Sequence, residues 1–235
     1  MTRGIDEPDA RGRTGLHLTG RDLAGNPRVK VRDVQVLSSD WYVTRTTTFD
    51  FRHADGHWST QSRETHDRGN GATILLYDLQ RRVVLLIRQF RFPAYVNGHP
   101  DGVLLEAPAG LLDDDEPDAA IRREAMEETG HDIGEPQHLF DVYMSPGSVT
   151  EKLHFYAAPF SSATRTSAGG GLVAEGEDIE LVELGLDDAL AAIGDTIVDA
   201  KTIMLLQWAA LSGPFGASRP RDAAGTRDDT DAGHP

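Results

Sequence analysis

Three glutamates decide what chemistry this chain can do. Glu124, Glu127 and Glu128 stand at i, i+3 and i+4 in the run Arg122-Arg123-Glu124-Ala125-Met126-Glu127-Glu128-Thr129-Gly130. On a helix those positions share one face. Like-charged neighbours there repel by roughly 0.2–0.5 kcal/mol per pair, so a cation is the expected neutraliser. An all-oxygen donor set selects a hard ion, Mg²⁺ first and Mn²⁺ second. The surroundings sharpen the point: between Glu106 and Glu128 lie nine carboxylates and two arginines, a net charge of -7.

That charge excludes several functions. The whole chain of 235 residues carries a formal charge of -15. An acidic surface repels nucleic acid, so no polynucleotide partner is expected. There is no cysteine, which removes disulfides, thiolate metal sites and cysteine nucleophiles. No run approaches the ~18 apolar residues of a membrane span, and the N-terminus lacks an apolar signal segment. A cytoplasmic protein without a membrane partner is the expectation.

The glutamates need a helix to hold them. Pro117 suits its first turn, Asp115 or Glu116 can cap it, and Gly130 falls just past its end. Strands must support that helix. Val29 to Arg52 reads as one strand rich in Val, Thr and aromatics, and Trp58 to Asp67 returns as a second. Together they make a small antiparallel β appendage. After Gly69-Asn70-Gly71, the apolar runs Ala72–Tyr77 and Val83–Ile87 read as central strands. Further strands are expected at Val103–Glu106, around Leu139–Met144 and Leu153–Ala158, and at Ile179–Leu184. A Gly-rich loop spans Ala163–Gly176, and amphipathic helices span Leu186–Ile193 and Ala200–Leu211. The pattern predicts an α/β fold: an α/β/α sandwich around a mixed sheet, plus the appendage. The divisions are a disordered arm over 1–28, the appendage over 29–69, the main domain over 70–213 and a disordered tail over 214–235.

Gly110, Glu116, Arg123-Glu124, Glu127-Glu128 and Gly130 resemble the signature of Nudix hydrolases, Gly-x5-Glu-x7-Arg-Glu-x-x-Glu-Glu-x-Gly. Six residues rather than seven separate Glu116 from Arg123, so Glu116 is given no metal role. The flanking segments Asp67–Tyr77, Leu86–Arg91, Tyr143–Glu151 and Glu177–Glu180 are similar to the bacterial GDP-mannose pyrophosphatase subgroup, close to the ADP-ribose pyrophosphatases. The resemblance implies metal-dependent hydrolysis of a nucleoside diphosphate sugar, GDP-mannose to GMP and mannose 1-phosphate.

It also implies roles. Glu124, Glu128, Glu177 and the Ala109 carbonyl would hold metal. Glu127 would assist as a ligand or through contacts to one, and Glu151 would touch substrate or act as base, with the roles of Glu151 and Glu177 exchangeable. Glu175 competes with Glu177. Arg91 would clamp phosphate, and Gly110 and Leu111 would line the substrate. Tyr42, Arg63 and Glu64 would reach the nucleotide from the partner subunit of a homodimer with a swapped appendage. Arg123 would orient glutamates by an ion pair. His66, His99 and His154 show no paired spacing of a His-ligated metal site.

Three rivals remain at this level. An ADP-ribose pyrophosphatase, giving AMP and ribose 5-phosphate, shares the chemistry. A non-catalytic nucleotide-sugar sensor should have lost box carboxylates, and here all are present. An isopentenyl diphosphate isomerase in its familiar form needs a cysteine, which this chain lacks.

Overall fold

The computed structural model describes residues 25–112, 115–172, 174 and 176–216. Apart from residues 25–28 and 214–216, the expected arm and tail lie outside the described residues, as does Glu175.

Strands β1 (Val29–Ser39), β2 (Val43–Arg52) and β3 (Trp58–Asp67) form an antiparallel sheet in that order. The single strand expected over Val29–Arg52 is therefore two. A strand of that length would run about 80 Å unsupported. The Ser38-Ser39-Asp40 stretch offers turn formers instead, and the Asp40 amide closes the turn on the Tyr42 carbonyl at 3.1 Å.

The main sheet contains β4 (Gly71–Asp78), β5 (Val83–Phe90), β6 (Val103–Glu106), β7 (Ala109–Leu111), β8 (Gln137–Tyr143), β9 (Lys152–Pro159) and β10 (Glu180–Gly185). Its order is β10-β5-β4-β9-β8, with β6 on β5 and β7 on β4. The β4–β9 pair is parallel and the others antiparallel, so the sheet is mixed as expected. Helices α1 (Phe92–Val96), α2 (Pro117–Thr129), α3 (Leu186–Ala191) and α4 (Ala200–Leu211) complete the fold. Helix α1 and strand β7 have no counterpart in the sequence reading, because five and three residues are too few to show a period.

Alternation along the strands divides the core between two faces. Leu75, Val84, Leu86 and Phe155 pack with Leu186, Leu205 and Leu206 from α3 and α4. Ile74, Leu76, Leu85 and Tyr156 pack with Ile121 and Ala125 from α2. Helices thus cover both faces. The two central strands part partway along. Strand β4 pairs with β5 only through Leu76–Asp78, while its first residues, Gly71–Thr73, pair with β7. The far end of β5 pairs instead with β6. The segment 103–111 fills the fork, and the candidate site forms there.

The appendage joins the main domain at the end of β3. The His66 amide donates to the Ser148 carbonyl at 2.7 Å, and the Thr150 amide to the His66 carbonyl at 3.0 Å. Beneath this seam the Arg45 guanidinium meets Asp67 at 2.6 Å, both side chains 1% exposed. Removing one partner leaves the other charge buried. Asp67→Ala is expected to destabilise the fold by about 3 kcal/mol, read as a lower midpoint in urea unfolding.

Candidate active site

Helix α2 buries Ile121, Ala125 and Glu128 along one stripe against the sheet. The spacing of four and then three residues explains why a glutamate ends up on an apolar face. Glu128 is 1% exposed, and its Oε2 accepts the Ala109 amide at 3.1 Å. Glu124, one turn earlier, lies over Gly110. A Cβ at Gly110 would collide with the Glu124 carboxylate, so glycine here lets that carboxylate lie against the strand. Gly110→Ala is expected to displace Glu124 and weaken divalent-metal affinity by at least about tenfold, measurable by calorimetric titration with Mg²⁺ or Mn²⁺.

Confinement changes how these acids titrate. Burial raises the Glu124 carboxyl to about 7, with Glu127 and Glu177 adding repulsion and Arg123 partly offsetting it. Glu128 is raised well above the ordinary range by burial, then by Glu124 and Glu177. The Ala109 amide and Arg91 oppose that shift.

Glu177 reaches the cluster by way of the Gly-rich loop. The Gly170 and Gly171 amides donate to the Glu128 and Glu127 carbonyls at 2.9 and 3.1 Å, capping the last turn of α2. At Gly169 any Cβ would strike the backbone of Glu128 and Thr129. The loop then folds back. Glu177 Oε2 accepts the Leu172 amide at 2.8 Å, and the carboxylate lies close enough to act on both Glu124 and Glu128. Glu124 and Glu128 thus adjoin the Ala109–Gly110 backbone at the fork, and the charge of Glu177 acts on both. An all-oxygen set of this charge fits a hard divalent cation.

On the other side of the fork stands Arg91, just past β5. Its Nε and Nη2 donate to the two Glu106 carboxylate oxygens at 2.7 and 3.2 Å. Glu106 is 2% exposed and also bonds Lys201, which in turn meets Asp199 at 3.0 Å. Burial alone would raise the Glu106 carboxyl, but Lys201 and Arg91 hold it below its ordinary value. The Asp199 carboxylate accepts Thr202 Oγ1 at 2.6 Å, and the same hydroxyl oxygen accepts the Ala107 amide at 2.7 Å. Sequence reasoning missed this group, because Lys201 is 95 residues from Glu106. Arg88, by contrast, turns outward to Glu180 at 2.7 Å.

The remaining candidates are distributed unevenly. Glu151 lies 3.5 Å from Arg68 Nε. It borders Gly71 on the side packed by Leu153 and the Gly110 carbonyl, so the two glycines form the floor between Glu151 and Glu124. Leu111 pairs with Gly71 on that floor. Arg123 bridges Glu124 at 3.0 Å, Glu127 at 3.2 Å and Asp115 at 3.4 Å, which matches the expected orienting ion pair. Glu116 occupies the N-cap position with extended backbone, but its side chain makes no capping bond. Asp115 is drawn to Arg123, so the expected side-chain cap is not made. Tyr42 packs edge-on against His66 and under Arg68. Arg63 bonds Ser62 and Gln61 on the appendage, and Glu64 is exposed beside it. Within one chain, no hydrogen bond or ion pair among the described residues carries Arg63 or Glu64 to the carboxylate cluster.

Residues 67–205 match the family model of the NUDIX domain. The chain belongs to the Nudix family and is a Nudix hydrolase. Residues 28–66, the appendage strands, match the model described as the GDP-mannose pyrophosphatase NudK N-terminal domain. A GDP-mannose pyrophosphatase of Pectobacterium atrosepticum is 50% identical over 80% of this chain and 96% of its own length. One from Klebsiella pneumoniae is 49% identical over 76% of this chain and 90% of its own. The crystal structure of an ADP compounds hydrolase superposes with a TM-score of 0.57 at 17% identity, covering 77% of this chain and 94% of that one. That likeness shows the shared fold. No helix among the described residues is long and apolar enough to cross a membrane.

Proposed function

We propose that this chain hydrolyses GDP-mannose to GMP and mannose 1-phosphate with Mg²⁺, Mn²⁺ serving as a substitute. The observation that carries the chemistry is the convergence of Glu124, Glu128 and Glu177, whose repulsion and burial a cation would relieve. The choice of sugar nucleotide follows relatives about 50% identical over most of the chain. Glu124, Glu128, Glu177 and the Ala109 carbonyl are the groups that would hold the ion. Bound there, a divalent cation lowers the pKa of a coordinated water and neutralises phosphate oxygens.

The chain's own residues do the rest. The Arg91 fork, held by Glu106, presents its guanidinium to the diphosphate. Gly110 and Leu111 would line the phosphates, with the Glu124 carboxylate packed over Gly110 and Glu151 beside Gly71. Glu151, oriented by Arg68, accepts a proton from the attacking water or fixes the substrate. Glu127 supports the ligands through Arg123. The diphosphate bond breaks as water adds to phosphorus, and the released phosphate takes the electron pair.

The same reading includes a cytoplasmic homodimer, with residues 29–69 as its swapped appendage and 70–213 as the catalytic domain. Tyr42, Arg63 and Glu64 would then meet the nucleotide of the partner subunit. The outward position of Arg63 and the exposure of Leu37 and Trp41, at 51% and 59%, support this. Light scattering on the eluting protein tests it, and a monomer would overturn it.

Product chromatography with GDP-mannose and ADP-ribose side by side, each with Mg²⁺ or chelator, tests the activity. GMP formed faster than AMP, and only with metal, is the expected result. Faster AMP would move the chain to ADP-ribose hydrolysis. Saturable binding with no product would make it a sensor.

A further inference from the structure

A second ligand cluster lies away from this site, on the β8–β9 hairpin. Asp141 stands directly opposite His154 in the ladder. His138 precedes Asp141 by three residues, and in a regular strand that odd separation would place them on opposite faces. The ladder shifts register between His138 and Phe140, absorbing Leu139 as an extra residue. The bulge returns His138 to the face of Asp141, the kind of re-aiming bulges produce. His138 Nε2 and His154 Nδ1 consequently both lie 2.8 Å from one oxygen, Asp141 Oδ1. The three candidate donor atoms sit within 4.8 Å of one another.

We infer that His138, Asp141 and His154 form a binding site for a borderline divalent transition ion of the Zn²⁺ class, which clips edge strand β8 to β9. Two imidazoles and one carboxylate suit such an ion and not Mg²⁺, which prefers oxygen. A tetrahedral zinc site spaces its donor atoms by about 3.3 Å, given zinc–ligand distances near 2.0–2.1 Å. Small rotations of the half-exposed His138 and Asp141 side chains supply that spacing. Burial pushes His154 below its ordinary pKa, which favours the neutral, ligating imidazole. Glu116 and Asp118, at the start of α2, act on the adjacent Tyr156 together with Asp141, so the setting is anionic. Lys152 opposes the cation but faces the other oxygen, Asp141 Oδ2, at 3.5 Å. The clip would fasten edge strand β8, which has a ladder partner on one side only, to β9.

The test uses the full chain, stripped by chelator and then held in excess Mg²⁺ so that the oxygen site is filled. Co²⁺ is titrated and followed by its visible absorption, and Zn²⁺ by calorimetry. The expected result is one equivalent bound by the wild type, with a higher melting temperature. His138→Ala and His154→Gln should each lose more than the roughly 10–100-fold in affinity that a merely supporting contact costs. His53→Ala, in the stacked His53–His57 pair of the appendage, should bind normally. His138→Ala should keep wild-type turnover in Mg²⁺. If His154→Gln fails to fold, the more exposed His138→Ala carries the test alone. No wild-type binding in excess Mg²⁺, or undiminished binding in His138→Ala, would overturn the inference.

Discussion

Glu128→Gln is expected to cut GDP-mannose turnover about 10³-fold while leaving the fold intact. The amide keeps the size of the carboxyl and can still accept the Ala109 amide that Glu128 Oε2 accepts at 3.1 Å. It removes the charge of the most deeply buried member of the cluster. Losing one metal ligand at a reacting diphosphate removes on the order of 4 kcal/mol of transition-state stabilisation, at about 1.4 kcal/mol per tenfold in rate.

The same variant carries a stability signature of opposite sign. Glu124 and Glu128 both have folded-state values above the ordinary 4.5, Glu124 at about 7. Between those limits the metal-free folded chain retains protons that the unfolded chain has released. Its stability therefore falls as pH rises through that window. For Glu124 the loss reaches up to about 3 kcal/mol above pH 7. Glutamine at either position escapes the penalty. In chelator at pH 8, Glu128→Gln should melt above the wild type, and the gap should close at pH 5, near the ordinary value. Saturating Mg²⁺ should raise the wild type and not the variant. A variant that turns over at the wild-type rate would sink the metal assignment. One that melts lower at pH 8 would sink the electrostatic account.

Glu106→Ala is the second substitution with a large expected effect, and it acts on stability first. Lys201 is 8% exposed and would lose its Glu106 partner, keeping Asp199. Leaving a buried cation short of its counter-charge costs about 3 kcal/mol, the lower end of the range because Asp199 remains. Arg91 would lose both of its bonds to Glu106, so turnover should fall as well, by roughly 10–100-fold, the cost typical of losing a supporting contact. Denaturant unfolding and steady-state kinetics on one preparation separate the two effects. Glu106→Ala paired with Lys201→Met should recover stability without recovering turnover. Recovery of both would mean that Arg91 does not depend on Glu106.

How far the site could be read from the chain depended on sequence distance. Glu124, Glu127 and Glu128 lie within about one turn of a helix that Pro117 opens and Gly130 ends, and helical geometry alone places the three glutamates on a common face. The strand pattern was also local. Ile74 and Leu76 facing α2, with Leu75 facing α4, follow from alternation. The turn at Asp40-Trp41-Tyr42 was hidden because apolar and β-branched residues continue on both sides of it. Helix α1 and strand β7 were too short to show a period.

The triple glycine at 169–171 read only as part of a Gly-rich loop. Its tight packing on the carbonyls of α2, and the delivery of Glu177 to the cluster, depend on a chain segment about 40 residues downstream folding back. His154 looked solitary until a bulge at Leu139 turned His138 toward it. Local periodicity was enough to specify the acidic helix, the strands that flank it and a demand for a cation, because those follow from neighbours a few bonds apart. Folding decided how deeply Glu128 is desolvated and which cation holds Glu106. Those outcomes rest on burial and on charges brought together from distant parts of the chain, and no spacing along the chain encodes them.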